Sequence, residues 1–207
     1  MSPEELAGLL DMARTCSNGG DYLEVGTAAG GTLREMMKCF DDASRPRFVV
    51  VDPMNYFADQ LEIVRKNLRS HDLDPAQVDF RVATSVSAFT PAEDAREAYD
   101  FMLIDGAHKI RYVTQDLRWL RLLKPGGVAC IHDYNDRHEG VKLSVDRFLR
   151  KHPNYRREQL VGSLMILRKS GSSPSKEITF ADRLWASALT PFLQLKINLR
   201  KRLARRA

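Results

Sequence analysis

The chain has 207 residues, 43% of them apolar and 29% charged, with a formal net charge of +5. That supports one globular domain with a full core plus an appendage, and it excludes a disordered or fibrous chain. No uncharged run is long enough to cross a bilayer, and MSPEELAGLL lacks the basic and apolar regions of a signal peptide. The cysteines, Cys16, Cys39 and Cys130, are scattered, so they read as reduced thiols of a cytoplasmic protein. The positive charge belongs to the tail. Lys196, Arg200, Lys201, Arg202, Arg205 and Arg206 fall after position 195 with no acid among them, which leaves the rest of the chain close to neutral.

In chain order, Ser2-Pro3-Glu4-Glu5 reads as an N-cap, a first-turn proline and a capping-box glutamate. A helix to about Thr15 follows, stopped by Asn18-Gly19-Gly20. Strands are expected at 22–25, 48–51, 78–83, 101–104 and 128–131, and helices at 32–40, 58–70, 112–123 and 141–151. Lys124-Pro125-Gly126-Gly127 reads as a turn, and 155–160 with 164–167 as a closing hairpin. Ser170-Gly171-Ser172-Ser173-Pro174-Ser175 is a linker by composition. Thr190-Pro191 looks like the start of a new helix, with Phe192, Leu195, Leu199 and Leu203 on one face. The plan is therefore an N-terminal helix (1–19), a main domain (20–169), a linker (170–176) and a basic helical tail (177–207).

Alternating strands and helices imply an α/β, Rossmann-like doubly wound sheet, mainly parallel with a C-terminal antiparallel hairpin. Such sheets bind ligands outside the carboxyl ends of their strands. The ends here carry Glu24, Asp52, Asp105 and His132-Asp133. After the first strand comes Glu-x-Gly-x-x-x-Gly-Gly, with Gly26, Gly30 and Gly31, which lets a cofactor approach the backbone closely. The spacing is not the Gly-x-Gly-x-x-Gly of a dinucleotide fold, which disfavours a nicotinamide dehydrogenase.

Taken together, LEVGTAAGGT, VVVDP, IDGAH, DLRWLRLLKPGG, HDYN and GVKLSVDRF resemble the class I S-adenosylmethionine (SAM)-dependent methyltransferases. Within these they resemble the methyltransferase-24 family, related to macrolide-sugar and catechol O-methyltransferases. The resemblance spans about 20–168 and leaves the tail outside. It implies that Glu24, Gly26, Thr27, Gly30 and Gly31 hold the methionine portion of SAM and that Asp52 binds the ribose hydroxyls. Ser85 would lie by the adenine, unless Thr84 and Ser85 merely cap a helix. It also implies an O-methyltransferase acting on a small-molecule or glycan hydroxyl, with His108 as the base at a near-normal imidazole pKa.

Asp105 and Asp133 end successive strands, and two hard oxygen donors suit Mg²⁺ or another divalent metal. His132 would be a third ligand for a borderline metal, or would orient Asp133 or contact the cofactor. The alternative is a metal-free site in which the two aspartates position substrate, Asp105 also lying beside the cofactor. Asn135 is a turn residue or a further ligand. The basic tail suits an anionic membrane surface, a partner or a second subunit of a homo-oligomer. Nucleic acid is the least favoured acceptor, because IDGAH is not a base-clamping motif. A non-catalytic, tail-tethered cofactor-binding subunit stays open as another reading.

Overall fold

The computed structural model describes residues 1–16, 20–171 and 178–204, with side chains through 199. The expected helix stop at Asn18-Gly19, the linker residues 172–175, Leu203 and the basic side chains from Arg200 onward lie outside what is described. The elements in order are α1 (Pro3–Thr15), β1 (Asp21–Val25), α2 (Gly31–Met37), β2 (Phe48–Asp52), α3 (Gln60–Arg69), β3 (Val78–Val82), α4 (Ser85–Asp94), β4 (Tyr99–Ile104), α5 (Ile110–Asp116), β5 (Leu123–Ile131), α6 (Glu139–Lys151), β6 (Tyr155–Val161), β7 (Leu164–Lys169) and α7 (Phe180–Ala204).

The strands form one seven-stranded sheet in the order β3-β2-β1-β4-β5-β7-β6. All pairings are parallel except those of β7 with β5 and β6. The central strands are apolar throughout because both faces are covered. Successive residues alternate between two cores. Leu23, Val25, Val49, Val51, Met102 and Ile104 face one, with Phe89 and Trp119. Tyr22, Phe48, Val50, Phe101 and Leu103 face the other, with Leu9, Leu33 and Met36. Val25 pairs with both Val51 and Ile104, and Ile104 pairs with Ile131. This register places Gly26, Asp52, Asp105 and His132, each one residue further on, along one sheet edge. The strand order reverses at β1 and β4, where α/β sheets open a crevice.

The capping box forms as its pattern requires. Ser2 Oγ accepts from Glu5 N–H at 3.2 Å, and Glu5 Oε2 accepts from Ser2 N–H at 2.7 Å. Four other expectations are corrected. A helix that no apolar period announces, α4, starts at Thr84, whose hydroxyl accepts from Ser87 N–H, and it buries Ala88, Phe89 and Ala92 despite an internal Pro91. The helix expected at 112–123 is α at Ile110–Asp116 and tightens to 3₁₀ at Leu117–Leu122, driving Trp119 fully into the core. Lys124-Pro125-Gly126-Gly127 lies within β5, where the register against β4 shifts between Tyr99 and Phe101. Finally, α7 begins at Phe180, well before Pro191, and runs through it. The carbonyl that loses its donor there belongs to Ser187, which is exposed, so water can serve it.

The start of α7 is fastened by Asp182, which is 2% exposed. Its carboxylate accepts from Arg147 Nε at 2.8 Å, from Lys151 Nζ, and from the Thr179 hydroxyl at 2.7 Å. Burial opposes its ionisation, but these donors hold it well below the usual carboxylate range. Asp182→Ala should cost about 2 kcal/mol in urea unfolding at pH 7. Because the folded carboxyl is held low, its contribution is present above the ordinary carboxyl pKa and is lost as pH falls through the folded value. The mutant and parent curves should therefore converge in acid, and a cost near zero at pH 7 would mean apolar contacts alone seat α7. No helix among the described residues is long and apolar enough to cross a membrane.

Candidate functional site

The loop between β1 and α2 is held in an unusual shape. Gly26 has φ 87°, Ala28 46° and Gly30 77°, all left-handed. A Cβ at Gly26 would lie 2.6 Å from the Asp105 carbonyl oxygen, so glycine lets β1 and β4 end side by side. A Cβ at Gly31 would meet nothing within 4 Å, and that space is open to a ligand. Asp52 organises the loop from the next strand. Its Oδ2 accepts from Thr27 N–H at 2.9 Å, and its Oδ1 from Met54 N–H at 2.7 Å and Gln60 Nε2 at 3.3 Å. Oδ2 keeps one lone pair for a further donor such as a hydroxyl. Ser85 Oγ accepts from Trp119 Nε1 at 3.0 Å.

Glu24 lies beneath this loop and is 1% exposed. Its Oε2 and the Thr27 hydroxyl are buried with no hydrogen-bond partner. Orphaned polar atoms of this kind call for a ligand or a proton. Burial pushes the Glu24 carboxyl up to about 8, reinforced by the nearby Asp105 and Asp52 charges. A cationic ammonium beside Glu24 would restore its charge, so these residues fit the amino-acid portion of SAM. Because the folded carboxyl is raised above its unfolded value, it costs no stability in acid and progressively more as pH rises from about 4.5 to 8. Glu24→Gln should therefore leave thermal stability at pH 5 little changed, raise it at pH 8, and weaken binding of SAM. Equal melting shifts at both pH values would refute the buried-acid assignment.

At the ends of β4 and β5 five side chains converge. Asp105, His132 and Asp133 bring ligand atoms within 4.8 Å of one another, and so do His108, Asp133 and His138. His108 Nε2 stands 2.8 Å from Asp133 Oδ2 and 3.9 Å from Asp105 Oδ1. The Asp105 and Asp133 carboxylates beside it raise His108 to about 9, which corrects the expectation of a near-normal imidazole. Burial opposes ionisation of Asp105 and Asp133, but the same histidines overrule it, holding Asp105 low and Asp133 at about 2. Asp133 has φ 60°, a strained setting for a non-glycine residue that is seen more often at sites than elsewhere. Asn135 makes the turn, its Oδ1 accepting from the Arg137 and His138 N–H groups, both at 2.9 Å.

Two members escape sequence reading. Glu5, the capping-box residue, also reaches the site. Its Oε2 lies 3.3 Å from His132 Nε2, and its Oε1 accepts from Ser163 N–H and the Ser163 hydroxyl at 2.6 and 2.7 Å. Burial would raise Glu5, but these donors and Ser2 hold it at about 2. His138 Nδ1 lies 3.0 Å from Asp133 Oδ1, yet out of hydrogen-bonding direction, and is buried without a partner. Its one sequence signal is its place in the loop after HDYN. His132 spans the set, with Nδ1 3.0 Å from Asp105 Oδ1 and 3.7 Å from Asp133 Oδ2. A nitrogen facing two carboxylates, with the opposite nitrogen on a third, is the arrangement of a metal-binding histidine and its orienting partner. The donor set thus fits a divalent cation, and its nitrogen content favours a borderline metal over Mg²⁺.

A family model described as a methyltransferase domain matches residues 23–134, which include every strand-end residue above from Glu24 to Asp133. The fold is similar to that of the O-methyltransferase from Bacillus cereus in complex with SAH, with a TM-score of 0.64 and 19% identity over 82% of each chain. It is similar too to the O-methyltransferase TomG from Streptomyces achromogenes in complex with SAM, with a TM-score of 0.63 and 17% identity over 83% of this chain and 82% of that one. The O-methyltransferase NovP gives a TM-score of 0.59 and 18% identity over 78% and 79%. No curated protein sequence matches this one.

Proposed function

This chain belongs to the methyltransferase-24 family of class I SAM-dependent methyltransferases, and on that premise we propose that it methylates a hydroxyl of a small molecule or glycan. One observation carries the oxygen chemistry: Asp105, His108 and Asp133 meet at the sheet edge beside the glycine loop. SAM, when bound, supplies an electrophilic methyl on a sulfonium. Glu24, Thr27 and Asp52 would bind and orient it, Glu24 taking the ammonium and the open Asp52 lone pair a ribose hydroxyl. His108 would take the proton of the acceptor hydroxyl, and Asp133, 2.8 Å from its Nε2, would orient the ring.

Asp105, His132 and Asp133 would hold a divalent cation, which lowers the pKa of a hydroxyl bound to it. Glu5 then keeps the His132 ring in position. Without such an ion the two carboxylates keep His108 protonated at neutral pH, and the base form appears only as pH rises toward about 9. Calorimetry should give one SAM site per chain, and transfer of labelled methyl to a panel of hydroxyl acceptors should fall on chelation and recover with Mn²⁺ or Mg²⁺. Absence of SAM binding would end the methyltransferase reading. Transfer indifferent to chelator would end the metal.

A further inference from the structure

A cavity of about 530 Å³ lies between the strand-end cluster and α7. His108 and His138 belong to its lining, so it opens onto the reacting edge. Its other side is α7, through Thr190, Leu193, Gln194, Lys196 and Ile197. That helix lies beyond residues 23–134, the part of the chain matched to the family.

The lining has two characters. Ile110, Tyr112, Leu193 and Ile197 make it apolar. Lys109, Arg137 and Lys196 make it cationic, against Glu139 as the one lining acid. Lys196 is spent on Glu139 at 2.8 Å, whereas Lys109 and Arg137 have no side-chain hydrogen bond or ion pair among the described residues. The N-terminal turn of α6, at Glu139 and Gly140, also faces the cavity and adds positive potential. The volume is that of a site for a compact organic ligand.

We propose that α7 is the acceptor-recognising wall of the enzyme, and that the pocket takes a hydroxyl-bearing molecule with an apolar body and an anionic group. The inference rests on the methyltransferase reading above. The apolar body packs between Ile110 and the Leu193–Ile197 face, the anion meets Lys109 and Arg137, and the hydroxyl is left toward His108. Most of the preference comes from the two unpaired cations at the cavity rim, which are exposed, so it weakens as salt is added. A neutral acceptor of the same shape forgoes it.

The test uses the full chain saturated with S-adenosylhomocysteine and two fluorescent probes of one shape. One is 8-anilinonaphthalene-1-sulfonate, and the other is the uncharged N-phenyl-1-naphthylamine. Lys109→Glu with Arg137→Glu should weaken the sulfonate about tenfold or more and change the neutral probe less than about twofold. Leu193→Asp should weaken both. Leu195→Asp and Leu199→Asp, at exposed positions of α7 outside the lining, should weaken neither. Equal loss of the two probes on charge reversal, or loss only in the Leu195 and Leu199 variants, overturns the proposal. Calorimetry with S-adenosylhomocysteine separates the two readings. Failure of that titration alone sinks the methyltransferase reading, while normal cofactor uptake with a charge-blind pocket sinks this one.

Discussion

Replacing His108 by alanine is expected to lower kcat by about 10²- to 10⁴-fold and to leave SAM affinity within about twofold. The imidazole is part exposed, lines the cavity against α7 and stands 2.8 Å from Asp133. It makes no hydrogen bond or ion pair with Glu24, Thr27 or Asp52, which lie on β1, its following loop and β2. Its removal takes a proton acceptor from the reacting edge and nothing from the cofactor cradle. The pH profile sharpens the test. Two carboxylates raise the imidazole to about 9, so in the absence of a divalent ion the parent rate should climb with pH until about 9. The alanine variant should lack that rise. A loss of kcat matched by an equal loss of cofactor affinity would make His108 a structural residue.

Gly26→Ala should be nearly as damaging by a different route. The residue sits at φ 87°, where a side chain costs roughly 1–2 kcal/mol. The new Cβ would also stand 2.6 Å from the Asp105 carbonyl oxygen and 2.7 Å from Gly106 Cα. Both are backbone, and both strands are pinned there, with Gly26 N–H donating to Val51 O at 3.0 Å and Asp105 N–H to Val25 O at 2.9 Å. The strain cannot be shed by a rotamer change, so we expect about 3–4 kcal/mol of lost stability together with loss of SAM binding. Gly31→Ala is the matched control. It has ordinary backbone angles and free space, so the fold should tolerate it while cofactor affinity falls. A Gly26→Ala protein as stable as its parent would refute the close approach of β1 and β4.

The strand ends were legible because the central strands are buried on both faces. Apolar runs such as FVVV and FMLI stop where a polar residue enters, and parallel register then lines those residues up. Helix α4 was not legible, since Ser85, Ser87, Thr90 and Pro91 carry little helical preference and Phe89 supplies most of the burial. The run through Pro191 was hidden because a surface helix can leave one carbonyl to water. The cluster was half visible. Asp105, His132 and Asp133 follow from two strand ends and His108 from the family resemblance, whereas the contact of Glu5 with His132 joins positions 127 apart and looks from sequence like an ordinary cap. The raised pKa of His108 needs the distances to both carboxylates, which no spacing supplies.

The double use of Glu5 has a consequence for how the enzyme comes into being. Synthesis is vectorial, and α1 emerges before every strand of the sheet. Yet the backbone and hydroxyl that fix the Glu5 carboxylate belong to Ser163, 158 positions later, and the β7 strand that follows pairs with β5 beside the site. Contacts of such separation form late, because a long loop must be closed before they return anything. The reacting edge is thus completed only after nearly the whole sheet has assembled, and a nascent chain that stalls before Ser163 holds an unanchored glutamate and an unsteadied His132. If the cluster carries the proposed chemistry, chains cut before Ser163 should be catalytically silent even where the glycine loop has already formed.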